Sequence, residues 1–209
     1  MGCECMEKNY RVTTFVMDSG ERYCMVVDHA SGLPMYYPTL FLTTQIRNRE
    51  DAFSTMLAAA SNLVMLLRFV ESRDIDLQQR FLTKDFFKPH ELDDLRDFAQ
   101  CKQRKGPLTV SSTSWLADAM TDIVDNGTQH SRLTTFANYL HWYAMHILKT
   151  TELEVVEKIN AMAAQIKTRR PSKKRRNHDL QDRSLSDVQL DALFEVIQPR
   201  SELNPFSID

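Results

Sequence analysis

The sequence predicts a mainly α protein, a helical bundle with a small amino-terminal β-hairpin. Three observations carry that expectation. From Phe53 onward apolar residues recur at three- and four-residue steps through Met56, Leu57, Ala60, Leu63, Val64, Leu67 and Val70, one wide face of a long helix. Glycine is scarce, 5 in 209 residues, which disfavours an all-β sandwich with its many tight turns. Ahead of the helical periodicity, two runs rich in β-branched and aromatic residues, Val12 to Met17 and Arg22 to Val27, flank the turn signal Asp18-Ser19-Gly20-Glu21.

The other elements follow in chain order. Residues 10–45 read as extended: a second turn at Asp28 to Gly32 leads to Leu33-Pro34 and Tyr36-Tyr37-Pro38, where two prolines predict an irregular or edge piece. Asn48, with Glu50 and Asp51 behind it, suits the start of the long helix. Pro89 is placed as the first residue of a helix reaching about Gln100, with Asp93 and Asp94 as dipole partners rather than metal ligands. Residues 101–130 are loop-like, with Asn126-Gly127 as a turn and a short helix over Trp115 to Ile123. Arg132 to Lys149 is helical, with Leu133, Phe136, Leu140, Tyr143 and Ile147 on one face. Thr151-Glu152-Leu153-Glu154 predicts a capping box, followed by the stripe Leu153, Val156, Ile159, Ala163 and Ile166. Beyond it, Ser184 to Asp187 opens a last helix through Val188, Ala192 and Val196 toward Pro199.

With 43% hydrophobic and 26% charged residues the chain can bury a core, which excludes wholesale disorder. No apolar run is expected to reach the roughly 20 residues of a membrane span, so no membrane partner is expected. Cys3, Cys5, Cys24 and Cys101 form no disulfide framework or zinc-ligand spacing, and no metal or cofactor is expected. Met1-Gly2-Cys3 begins like an acylation signal, but Met6 stands where that pattern requires Ser or Thr. The net charge of −2 hides an asymmetry: Lys167 to Arg176, KTRRPSKKRR, carries seven cations and no anion, which leaves the rest of the chain at about −9.

A helical body carrying a polycation suits duplex DNA, whose phosphates Lys and Arg neutralise with counterion release. The strap residues Lys167, Arg169, Arg170, Lys173, Lys174, Arg175 and Arg176 are the first candidates for phosphate contact. Thr128, Gln129, His130 and Arg132, near the start of a helix, carry groups able to read base edges or hold phosphate; plain capping is the alternative. Thr43, Thr44, Gln45, Arg47 and Arg49, ahead of the long helix, could approach the same duplex or be solvated. His141, His146, Tyr139, Trp142 and Tyr143 read as packed or interfacial residues.

Five segments in order, Leu33 to Arg47, the long helix through Leu66-Leu67-Arg68-Phe69-Val70-Glu71 with Ile75 to Phe81, Arg132 to Trp142, Arg169 to Asn177, and Leu190 to Phe206, resemble the amino-terminal part of phage-type integrases, the tyrosine site-specific recombinases. The resemblance spans about residues 20–206. It implies a SAM-like core-binding helical bundle that clasps a recombination half-site beside other recombinase protomers, in a DNA-associated, cytoplasmic, bacterial setting. It also implies four regions: a hairpin and extended region over 1–45, a core-binding domain over 46–166, a basic linker over 167–183 and the first helix of a catalytic domain over 184–209. That family's nucleophilic tyrosine and His-x-x-Arg element are absent here, because no tyrosine follows Tyr143 and neither His141 nor His178 is followed by Arg at the third position. Alone, the chain is therefore expected to bind DNA without catalysis and to take no small-molecule substrate. The rival expectation is an interaction module whose strap docks an acidic protein, and a third is a regulator with a nuclear-import signal.

Overall fold

The computed structural model describes residues 9–49, 52–102, 123–172, 185–198 and 204. It is mainly helical with one two-stranded antiparallel hairpin, β1 (Tyr10–Val16) and β2 (Arg22–Asp28), in a register pairing Tyr10 with Asp28 and Val16 with Arg22. The chain divides into two compact units, Met1–Lys173 and Lys174–Asp209.

The hairpin turn closes as expected, with Gly20 at a φ of +82°, a conformation that favours glycine. Tyr23, Cys24, Val26 and Val27 of β2 are buried, whereas β1 is largely exposed. The second turn is held by the Asp28 carboxylate, which accepts from the Ser31 amide and hydroxyl at 2.7 Å each.

Residues 36–49 are helical, although the sequence predicts extended chain as far as residue 45. Helix α1 (Tyr36–Phe41) continues through a π-helical turn (Leu42–Ile46) and a 3-10 turn (Arg47–Arg49). Pro38 lies in the first turn of α1, where a missing N–H breaks no helical bond. Phe41, Leu42 and Ile46 turn to the core, while Thr43 and Thr44 donate their hydroxyls to the carbonyls of Thr39 and Leu40. Asn48 therefore sits in the 3-10 turn, and helix α2 (Phe53–Ser72) follows Ala52 at its N-cap, with no side-chain cap.

By length and composition alone α2 could cross a membrane, with 20 residues and a mean hydropathy of 1.6, which corrects the expectation that no run reaches that length. In this fold it is the central helix. Ten of its residues are buried, among them Leu63, Leu66 and Phe69, and they share one core with the hairpin and the later helices. Helices α3 (Leu77–Leu82) and α4 (Pro89–Gln100) follow, the latter with Pro89 in its first turn as expected.

Helix α5 (Asn126–Leu148) starts six residues before the expected Arg132. The Asp125 carboxylate accepts from the N–H groups of Gly127 and Thr128, so Asn126-Gly127 opens a helix instead of forming a loop. A Cβ at Gly127 would lie 2.8 Å from that carboxylate, so a larger residue there would push the capping side chain aside. The Trp115 to Ile123 helix falls outside the described residues except at Ile123, which bridges to Cys101.

Helix α6 (Leu153–Thr168) begins without the expected Thr151 box; Thr150 accepts the Glu152 amide instead. Its buried stripe is Val155, Ile159, Met162, Ala163 and Ile166, while Leu153 is 79% exposed. The expected and observed stripes share Ile159, Ala163 and Ile166, but the face toward α5 is reached through Val155 and Met162. In the second unit, α7 (Asp187–Ile197) starts as predicted, with a capping box between Ser186 and Gln189.

Candidate nucleic-acid interface

The turns after α1, the first half of α2, the polar side of α5 and the second half of α6 enclose a groove of about 920 Å³. Its floor is apolar, with Phe41, Ile46, Trp142, Met145 and Ala163. Its rim carries Gln45, Arg49, His130, His141 and Lys167, and no lining residue among those described is Asp or Glu. In a chain whose body is about −9 apart from the strap, that is a local reversal of charge.

The groove is built from local helical logic. On α5, Ser131, Thr134, Thr135, Asn138 and His141 recur at three- and four-residue spacing opposite the buried Leu133, Phe136 and Leu140. Asn62, buried in α2, donates to Thr135 at 3.0 Å and Ser131 at 3.4 Å, which ties the two helices beneath the groove. His141 bonds Asn160 of α6 at 2.9 Å, and Trp142 stacks on His146 with centroids 5.0 Å apart.

The sequence-nominated residues divide into those that reach this groove and those spent elsewhere. Gln45, His130 and Lys167 line it, as does Arg49, which has no ion pair among the described residues. Thr44 is turned to the Leu40 carbonyl and receives a 3.3 Å bond from Gln45. Arg47 is committed to Glu21 at 2.7 and 2.6 Å and lies over the Tyr23 ring, and Tyr23 itself bonds Thr43. The hydrogen bond from Arg47 holds the Glu21 carboxyl below its ordinary value.

At the start of α5, Thr128 donates its hydroxyl to Asp125 at 2.5 Å, a bond that lowers the Asp125 pKa. Gln129 is only 5% exposed and reaches the Arg96 carbonyl at 3.4 Å. Arg132 is 9% exposed and donates to the carbonyls of Ala99 at 2.8 Å and Cys101 at 2.7 Å. Burial lowers its pKa. Both residues serve as internal staples here: Arg132 meets carbonyls where α4 ends and helical partners run out, and Gln129 reaches back to the Arg96 carbonyl.

In the strap, Arg169 donates to Asp93 at 2.7 Å, to Gln165 O at 3.0 Å and to Pro89 O at 3.3 Å. That contact lowers the Asp93 pKa and overrides the expectation that Asp93 merely serves a helix dipole. Arg170 donates to Lys167 O at 2.8 Å and to the Thr134 hydroxyl at 3.2 Å. Lys173, Lys174, Arg175 and Arg176 lie outside the described residues.

Sequence reasoning missed Asn138, Asn160 and Thr55 as groove residues. The polar periodicity of α5 was the readable signal for Asn138; nothing local pointed to the others. Among the described residues no group of three or more His, Cys, Asp or Glu is placed to hold a metal ion. No known protein family matches this chain, and no curated protein or solved structure matches it significantly. The likeness to phage-type integrases rests on the sequence segments alone.

Proposed function

We propose that this chain binds double-stranded DNA, as the core-binding part of a tyrosine site-specific recombinase that holds a recombination half-site without itself breaking or rejoining strands. The observation that carries this reading is the groove. Gln45, Arg49, His130 and Lys167 were nominated from three separate stretches of sequence, and the fold gathers them around one surface with no carboxylate among its described lining residues. A phosphate ridge needs dispersed cations and hydroxyl or amide donors, and the rim supplies both. Lys167, on the rim, is also the first cation of the strap, whose remaining cations follow in sequence. Other protomers on the same site would be the natural protein partners, and no cofactor is required.

Fluorescence anisotropy with a labelled duplex at several salt concentrations tests this. Engagement of Arg49, Lys167 and the four cations from Lys173 to Arg176 gives a log–log slope of about −5, at roughly −0.9 per phosphate, and each further cation engaged steepens it by about 0.9. Replacing Arg49 and Lys167 by Gln should flatten the slope by about 2 units. Binding that is absent, or a slope that ignores both substitutions, contradicts the reading. One observation favours a second reading: the apolar floor of the groove suits an acidic amphipathic helix from a protein partner. Capture of such a peptide with no affinity for duplex would select it.

A further inference from the structure

Helix α4 carries four carboxylates, and each has a different partner. Glu91 pairs with Arg80 at 2.8 Å, Asp94 with Arg73 at 3.4 Å and Asp97 with Arg96 at 2.8 Å. Among the described residues, Asp93 is the carboxylate of α4 that pairs with a strap residue, Arg169. The Arg169 side chain is 18% exposed and Asp93 is 49% exposed, so the guanidinium is enclosed while its counterion stays open to solvent. The remaining acceptors of Arg169, Gln165 O and Pro89 O, are neutral carbonyls. Among the described residues Arg170, one residue on, meets neutral acceptors, Lys167 O and the Thr134 hydroxyl.

We infer that Asp93 is an internal stand-in for a DNA phosphate: it latches Arg169 to α4 in the free protein and surrenders it to a phosphate when duplex binds. This rests on the DNA-binding reading above and adds a restraint on it. A guanidinium presents the same fork to a carboxylate and to a phosphate, so the exchange conserves charge-assisted hydrogen bonds. An ion pair with one partner half open to water is weakly held, so the exchange is easily made. The latch would lower affinity for any anion too weak to displace Asp93 and would hold the Arg169 side chain against α4 until DNA arrives.

The test uses the full chain and three variants, Asp93→Asn, Arg169→Gln and the double substitution, titrated against one labelled 25-base-pair duplex. Asparagine keeps the shape of the exposed Asp93 side chain, and circular dichroism checks that each variant is folded. Asp93→Asn should bind about 1.5- to 5-fold more tightly than the wild type, the span of a solvent-exposed ion pair. Adding Arg169→Gln should abolish that gain. Unchanged affinity in Asp93→Asn overturns the latch. A gain that survives in the double variant overturns it too, because the carboxylate would then act only by repelling DNA. In both of those results wild-type binding leaves the DNA reading standing; no duplex binding by wild type or Asp93→Asn removes that reading and the latch together.

Discussion

Replacing Arg132 by Met should destabilise the protein and leave its DNA contacts in place. The substitution keeps an apolar stem of similar length and deletes the guanidinium that meets the Ala99 and Cys101 carbonyls. Ala99 is fully buried, and Gln100 accepts the Val124 amide at 2.8 Å, so the stapled segment joins α4 to the chain entering α5. Leaving a buried acceptor unpaired costs about 1–3 kcal/mol, and two acceptors are affected. Relief from burying a cation offsets part of this, for a net loss of about 2–4 kcal/mol. For a domain of this size about 2–4 °C accompanies each kcal/mol, so the melting temperature should fall by about 4–16 °C. Arg132→Lys should fall between, since one ammonium lacks the planar fork that serves two carbonyls. Calorimetry supplies the melting temperature, and anisotropy well below it supplies the duplex affinity. A melting temperature within about 2 °C of wild type, together with a narrowed preference between DNA sequences, would refute the staple and restore Arg132 as a base reader.

Three further outcomes follow from the packing and the charges. Ala164→Glu places a carboxylate on an exposed helical position of the groove wall, and at about 5 Å from a phosphate in intermediate dielectric it should weaken duplex binding by about 1–2 kcal/mol without lowering the melting temperature. Ile159→Ala should cost about 2–5 kcal/mol in urea unfolding, whereas Leu153→Ala should cost almost nothing; equal costs would restore the stripe first read from the sequence. Burial raises the Glu91 pKa, but hydrogen bonds from Arg80 and from the Lys88 amide outweigh it and hold the carboxyl below its ordinary 4.5. Its contribution is therefore present above that value and is lost as pH falls through the depressed folded value, so the urea midpoint should drop less steeply in acid for Glu91→Gln than for wild type.

The elements that periodicity and turn chemistry specify locally were legible in the sequence. The Asp18 to Glu21 turn, the apolar face of α2, Pro89 at the head of α4 and the Ser186 cap need only neighbouring residues to define them. Residues 36–45 were not legible as helix because Pro34 and Pro38 signal extended chain. Only the packing of Phe41 against Tyr139 and Trp142, about 100 residues away, makes the helical conformation worthwhile. The same distance problem governs the site. Gln45, His130 and Lys167 could each be nominated from local composition, but their convergence depends on how α5 and α6 pack. Arg47 and Arg132 looked as available as any other arginine. What consumes them, Glu21 in the hairpin turn and two carbonyls ending α4, lies 26 to 33 residues away in sequence.

Lysine footprinting would test the central claim most directly. Acetylation of the full chain, with and without excess duplex and read residue by residue by mass spectrometry, compares Lys167, Lys173 and Lys174 with Lys84 and Lys158, which are held in exposed ion pairs with Glu152 and Glu154. DNA should protect Lys167 on the groove rim together with Lys173 and Lys174 in the strap, and leave Lys84 and Lys158 as reactive as before. Unchanged reactivity at Lys167, or protection confined to Lys84 and Lys158, would place DNA elsewhere and contradict the groove as its seat.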